Sequence, residues 1–185
     1  MTAVMKSKVR FLSVAFLFSS IAVLAEPQGH KLLFEHVKEM LSDTDKQEIF
    51  LALGYLVTPD GKGLASKYCG KVAFETSIVD LNGDGAPEVF ILSGNTCTSG
   101  STGVSIDLFV RDSAGKYRKQ LGFPAAGYIV LKERNKGYPD LMFGGPGFCR
   151  PVWRWSGTKY EFRCGQESQP GACGWRGVKT ICQPH

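Results

Sequence analysis

Asp80, Asn82 and Asp84 stand at alternate positions of the segment DLNGDGAPE, residues 80–88, and Glu88 closes it. Short oxygen-bearing side chains at the first, third and fifth positions, a glycine (Gly85) for the sharp turn at the sixth, a backbone carbonyl from Ala86 and a carboxylate at the ninth make the donor pattern of a Ca2+ loop, because a hard cation gathers several oxygens at once. In an EF-hand the twelfth position is a bidentate Glu and a helix follows. Here that position is Ile91, and EVFIL, residues 88–92, is a β-branched and aromatic run, so the loop feeds a strand. The expected calcium ligands are Asp80, Asn82, Asp84, Ala86 and Glu88. Without metal, the same Asp, Asn and Gly residues make a tight hydrogen-bonded turn.

Catalytic patterns are sparse. The loop Gly94–Gly103 (GNTCTSGSTG) holds Ser and Gly but lacks the strand-turn-helix setting of a nucleophile elbow and has no matching His. A cysteine nucleophile is disfavoured because the six cysteines are even in number and suit disulfides. Carboxylate pairs for glycoside hydrolysis could be assembled from Asp80, Asp84 and Glu88, but the metal reading explains those residues better. Zinc ligation needs paired Cys or His spacings that do not occur: His30 and His36 fall in a helical stretch and His185 is terminal. The expectation is a non-enzymatic protein.

A second segment carries binding chemistry. GGPGFCRPVWRW, residues 144–155, combines a stiff Gly/Pro turn with Phe148, Arg150 and Arg154, aromatic and planar cationic types that are frequent in binding hot spots. Trp153 and Trp155 share one strand face, the expected core face, with Arg154 on the solvent side. Phe148, Arg150 and Arg154 are therefore the expected partner-binding residues.

The elements that must hold these residues begin after an export signal. Lys6, Lys8 and Arg10 precede an apolar run from Phe11 to Leu24, and small or modest residues at Val23–Ala25 offer a cleavage site, so residues 1–25 read as a signal peptide rather than a membrane anchor. The mature chain is expected to be periplasmic or secreted and not membrane-inserted. The whole chain has 22 Lys and Arg against 17 Asp and Glu; three of those cations and no acid lie in the signal, leaving 19 against 17. That small surplus, without a basic cluster interleaved with aromatics, gives no support to nucleic-acid binding. Cys69, Cys97, Cys149, Cys164, Cys173 and Cys182 all follow the signal and are expected to form three disulfides in an oxidising compartment, with pairing open.

Residues 26–58 form a helical lead. Leu32, Leu33, Val37 and Met40, then Ile49, Phe50, Leu53 and Val57, recur at three- and four-residue spacing, with Ser42 or Asp43 starting a second helix and Pro59-Asp60-Gly61 ending the region. A β domain over 59–163 follows, built from two repeats near 71–122 and 123–163, and then a Cys-containing tail over 164–185 whose large anchor is Trp175. Residues 85–91 (GAPEVFI) match residues 137–143 (GYPDLMF) at an offset of 52, which carries Cys97 onto Cys149. FVRDSAGKY (109–117) and VWRWSGTKY (152–160) each read as strand, turn and strand. The second copy has Arg134, Asn135 and Lys136 where the first has its carboxylates, so one calcium site is expected.

Signal, helical lead, D-x-N-x-D-G-x-P-E loop, W-x-W-x-G-x-x-Y hairpin and scattered cysteines together resemble small exported bacterial proteins with FG-GAP/VCBS-like β-propeller-blade repeats, among them periplasmic immunity proteins and lysozyme inhibitors. The fold this resemblance implies is mainly β: two blade-like antiparallel units, open or partly closed, with two N-terminal helices and disulfide staples. The function it implies is inhibition of a cell-wall hydrolase or toxin by a protein contact. The alternative is a calcium-dependent carbohydrate-binding or adhesion module, which needs an exposed aromatic platform beside the calcium loop.

Overall fold

A computed structural model describes residues 29–37, 40–174 and 177–183. The expected signal peptide, Trp175 and His185 lie outside the described residues.

The helical lead forms α1 (Gly29–Leu33) and α2 (Asp43–Leu53). Ser42 caps α2: its hydroxyl accepts from the Asp45 N–H at 3.1 Å while the Asp45 carboxylate accepts from the Ser42 N–H at 3.2 Å, a reciprocal capping box. The helix stops earlier than the periodicity through Val57 suggests, because Gly54 takes the left-handed conformation at φ 71°. Leu56 and Val57 instead make a short strand, β1 (Leu56–Val57), paired with β2 (Leu64–Ser66) across the Pro59–Gly61 turn.

Two antiparallel meanders follow. β3 (Gly70–Val79), β4 (Glu88–Gly94), β5 (Ser105–Arg111) and β6 (Tyr117–Pro124) extend β1 and β2 into a six-stranded sheet ordered β1 to β6. β7 (Gly127–Asn135), β8 (Tyr138–Gly144), β9 (Cys149–Trp155) and β10 (Tyr160–Glu167) make a second, four-stranded sheet. The fold is thus mainly β, with two open antiparallel sheets. β10 runs past residue 163, so Cys164 belongs to the sheet and the tail begins after Glu167. A short parallel bridge, Gly165 to Ile181, lays that tail along the β10 edge.

Both faces of the first sheet are covered. Val89, Ile91, Phe109 and Tyr117 pack under Leu33, Phe34, Ile49 and Phe50 of the helical lead. Phe90, Leu108 and Val110 pack against Leu141, Phe143 and Trp155 of the second sheet. Burial on two faces is why residues 89–92 are a continuous apolar run instead of alternating. At the offset of 52, Val89 and Ile91 correspond to Leu141 and Phe143, which face the first sheet. The two sheets therefore stack front to back, and the back of the second has no third layer of strands or helices among the described residues.

Register makes the repeat concrete. Tyr117 pairs with Arg111, and Tyr160 pairs with Trp155. Each tyrosine hydroxyl reaches an equivalent carbonyl: Tyr117 to Pro87 at 2.7 Å and Tyr160 to Pro139 at 3.0 Å. Counting back from those pairs, Leu108 and Val110 correspond to Val152 and Arg154. The open back face thus carries a guanidinium where its buried counterpart carries Val110, as expected of a terminal repeat that must meet solvent.

The six cysteines form three disulfides: Cys69–Cys97, Cys149–Cys173 and Cys164–Cys182. The first pins the β2–β3 turn to α3 (Thr96–Ser99) in the β4–β5 loop, and the other two fasten the tail to β9 and β10. Such bonds persist in oxidising compartments. Among the described residues, no helix is long and apolar enough to cross a membrane.

Candidate functional site

A meander sends alternate connections to opposite ends of its sheet, and this separates the two expected sites. The β3–β4 loop carrying Asp80 to Ala86 shares its end with the β7–β8 turn, since Arg134 in β7 donates through Nη1 to the Leu81 carbonyl at 2.9 Å and to Gly137 at 2.6 Å. The β4–β5 loop, the β6–β7 link and the β8–β9 loop lie at the other end, where the Ala125 N–H reaches the Val104 carbonyl and the Ala126 N–H that of Gly144. Phe148 is at that far end.

The β3–β4 loop is closed by its own polar groups. Asp80 Oδ1 accepts from the Gly83 N–H at 2.7 Å and the Asp84 N–H at 3.2 Å, and Oδ2 accepts from the Gly85 N–H at 2.9 Å. These bonds to the charged form, led by the one from Gly85, hold the Asp80 carboxyl below the usual carboxylate range. Asn82 Oδ1 accepts from the Asp84 N–H at 3.0 Å, Asp84 Oδ1 from the Ala86 N–H at 2.7 Å, and Asp84 Oδ2 from the Asn82 amide at 2.7 Å. This is the tight polar turn that the sequence allows without metal.

Glu88 points away from the surface. It is 1% exposed; Oε2 accepts from the Leu81 N–H at 2.7 Å and Oε1 from the Tyr138 hydroxyl at 3.0 Å. Burial pushes its pKa up, the two hydrogen bonds oppose that, and the charges of Asp84 and Asp80 add to it. The donors of the loop match calcium in kind: carboxylates, an amide oxygen and the Ala86 carbonyl. In the described conformation, however, no three Asp, Glu, His or Cys side chains among the described residues converge to hold a metal ion. To hold Ca2+ the Asn82–Asp84 bond would have to open, with the exposed Asp80 and Asp84 and the half-buried Asn82 and Ala86 as donors, whereas the expected ligand Glu88 is buried with both oxygens engaged by Leu81 and Tyr138.

The residues of the second unit at this end serve the structure. Lys136, with φ 49°, and Gly137, with φ 88°, replace the long loop by a two-residue turn with both residues left-handed. Asn135 donates to the Trp155 carbonyl and Lys136 to that of Ser156.

Of the expected partner-binding residues, Phe148 is 52% exposed in the β8–β9 loop, and its carbonyl is held by the N–H and hydroxyl of Ser168 at 2.8 and 3.1 Å. Arg150 is exposed on β9 and Arg154 lies four residues along the same strand face; Trp155 is buried and Trp153 partly so on the opposite face. Arg150 and Arg154 therefore share the back face of the second sheet, with the buried Val152 between them and the tail residue Cys182 nearby, and Phe148 precedes them in the loop.

Two members of that face escaped sequence reasoning. Asp140 is completely buried, with Oδ1 accepting from Arg154 Nε at 2.9 Å, and Oδ2 from Arg154 Nη2 at 2.8 Å and Arg163 Nη1 at 2.5 Å. The signal available was the match of Asp140 to Glu88 in the repeat, which places a carboxylate at a strand start; its Arg partners lie on two other strands. Comparison with protein-family models, with curated proteins and with solved structures found no match.

Proposed function

We propose that the protein is a non-enzymatic binding protein of the periplasm or cell exterior that blocks a peptidoglycan-degrading enzyme through the β8–β9 loop and the adjoining back face of the second sheet. The observation that carries this reading is the exposure of Phe148 on a loop that is already fixed. Cys149–Cys173 anchors the residue after it, and Ser168 holds its carbonyl. A pre-ordered aromatic residue loses little freedom when it enters a partner's cleft, and the neighbouring Arg150 supplies a planar cation. Calcium, in this reading, stiffens the opposite end of the sheet and does not bridge to the partner.

The carbohydrate-binding alternative has less support. It needs aromatic rings beside the calcium loop; the two most exposed rings among the described residues, Tyr68 and Phe148, sit in the β2–β3 turn and β8–β9 loop at the other end, and Phe162, exposed on β10, lines the groove beside Arg154.

The test is inhibition of peptidoglycan hydrolysis by the mature oxidised protein against a panel of lysozyme-type and amidase-type enzymes. Inhibition that weakens in Phe148→Ala supports the reading. Full activity of every enzyme at saturating protein counts against it.

A further inference from the structure

We propose that Arg154 and Arg163, oriented by the buried Asp140, form a carboxylate-binding subsite on the second sheet. The proposal goes beyond the inhibitor reading and does not require the partner to be a hydrolase.

Asp140 holds more cation than its burial requires. At the matching position of the first sheet, Glu88 is buried with only a tyrosine hydroxyl and a backbone N–H as donors. Asp140 instead takes the two-pronged fork of Arg154 and, in addition, Arg163. One guanidinium neutralises the Asp140 carboxylate, and the second is a further cation at the site, where Glu133 also acts on Arg154.

Arg163 reaches Asp140 through a local distortion. The β9–β10 register shifts between Phe162, opposite Trp153, and Cys164, opposite Val152, leaving Arg163 as the extra residue of a bulge. A bulge interrupts the ladder and redirects one side chain. Here it brings a second guanidinium to the first.

Both cations keep donors for something else. Their side chains remain about one-third exposed, 33% for Arg154 and 31% for Arg163, while Asp140 is inaccessible. The N–H groups that Asp140 does not use border a groove of about 250 Å3 that is also lined by Asn135, Ser156, Phe162 and Glu161. Two acids stand by: Glu161 lines the groove and is engaged by Lys159 at 3.2 Å, and Glu133 borders Arg163 on the neighbouring side. Phe162 is 44% exposed and offers an apolar wall. Two pre-oriented planar cations beside an aromatic ring suit a carboxylate carried on an apolar group, such as an acidic side chain of a protein or a small organic acid.

The experiment titrates the mature, oxidised full chain with N-acetylphenylalanine, using its neutral amide as the control and the arginine Nε–H resonances as the readout. Saturable shifts of Arg154 and Arg163 with the acid, absent with the amide, are expected. Arg163→Gln keeps the Arg154–Asp140 fork and should weaken that binding roughly tenfold or more, as loss of a charge-assisted hydrogen bond implies. Arg163→Lys, which keeps charge without the fork, should fall between. No saturable shift in the wild type, or equal binding in Arg163→Gln, overturns the proposal. An acidic peptide that competes for the same shifts identifies a protein side chain as the source; competition by small acids alone identifies a free acid. Probe binding without hydrolase inhibition keeps the subsite and removes the inhibitor reading, and inhibition without probe binding does the reverse.

Discussion

The Tyr138 hydroxyl donates to Glu88 Oε1 at 3.0 Å, joining the second sheet to the first through two buried side chains. Tyr138 replaces, in the repeat, the Ala86 of the candidate calcium loop, so the unit without the carboxylate loop supplies the donor that satisfies the unit with it. Tyr138→Phe leaves Glu88 Oε1 without that partner while conserving the ring that packs on Trp155. The expected loss is about 1–3 kcal/mol, read as a lower urea midpoint with an unchanged slope. An unchanged midpoint means that water replaces the hydroxyl and the two sheets are not coupled here.

Glu88 also predicts a pH dependence in the presence of a chelator. Burial, its largest influence, raises the folded-state pKa above that of the unfolded chain. The protonated form is then favoured by folding, so the associated stability is fully present below the unfolded carboxylate value, near about 4.3, and is lost as pH rises through the elevated folded value. Asp80 acts oppositely: its lowered pKa gives stability that is lost as pH falls through the folded value. Relative to Glu88→Gln, the wild type should gain stability on going from neutral pH to about pH 5. Parallel stability curves for the two proteins refute the assignment.

Calcium is tested by thermal unfolding of the mature domain with Ca2+, with Mg2+ and with chelator. If Asp80, Asn82, Asp84 and Ala86 gather the ion, Ca2+ raises Tm, by about 2.7 kcal/mol of stabilisation at a hundredfold excess over Kd, and Asp80→Ala or Asp84→Ala removes the rise. Equal Tm values in Ca2+ and chelator leave the loop as a turn held by its own hydrogen bonds.

Gly165 marks where β10, the tail and a disulfide converge. A Cβ there would lie 2.5 Å from Cys173 Sγ, 2.9 Å from Cys149 Sγ and 3.0 Å from Val178 Cγ1. Gly165→Ala must displace the Cys149–Cys173 bond or the tail crossing above it. The expected cost is about 1–3 kcal/mol, with slower recovery of the native disulfide pattern on oxidative refolding. Normal stability and native pairing would show that the tail is free to move aside.

The parts of this fold legible in sequence were those set by local chemistry. Ser42 with Asp45, Gly85 in the polar loop and the Tyr-initiated hairpins announce a cap, a turn and strand starts because each acts within a few residues. The front-to-back stacking was partly visible, since the match of Val89 and Ile91 to Leu141 and Phe143 is a sequence fact; that Leu141 and Phe143 face the first sheet is not. Helix α2 appeared too long because Val57 keeps the apolar period after Gly54 has ended the helix. The Asp140 cluster was hidden for a different reason: Arg163 reaches it through a bulge, which moves one side chain without leaving a periodic trace.

Phe148 gives the sharpest separation of function from stability. The residue is 52% exposed, and the loop is held through the Phe148 carbonyl. Phe148→Ala should therefore leave Tm within the range of an ordinary surface change, within about 0.5 kcal/mol. If the ring fills a partner's cleft, the same substitution costs about 2 kcal/mol or more of binding, a roughly thirtyfold rise in Kd or in the concentration needed for half-inhibition. Arg150→Ala, on the adjoining strand face, should give a smaller loss that shrinks further at high salt, because an exposed cation acts through screened charge. A Phe148→Ala protein that unfolds early would mean the ring packs on its own chain, and unchanged inhibition with normal stability would move the contact away from this loop.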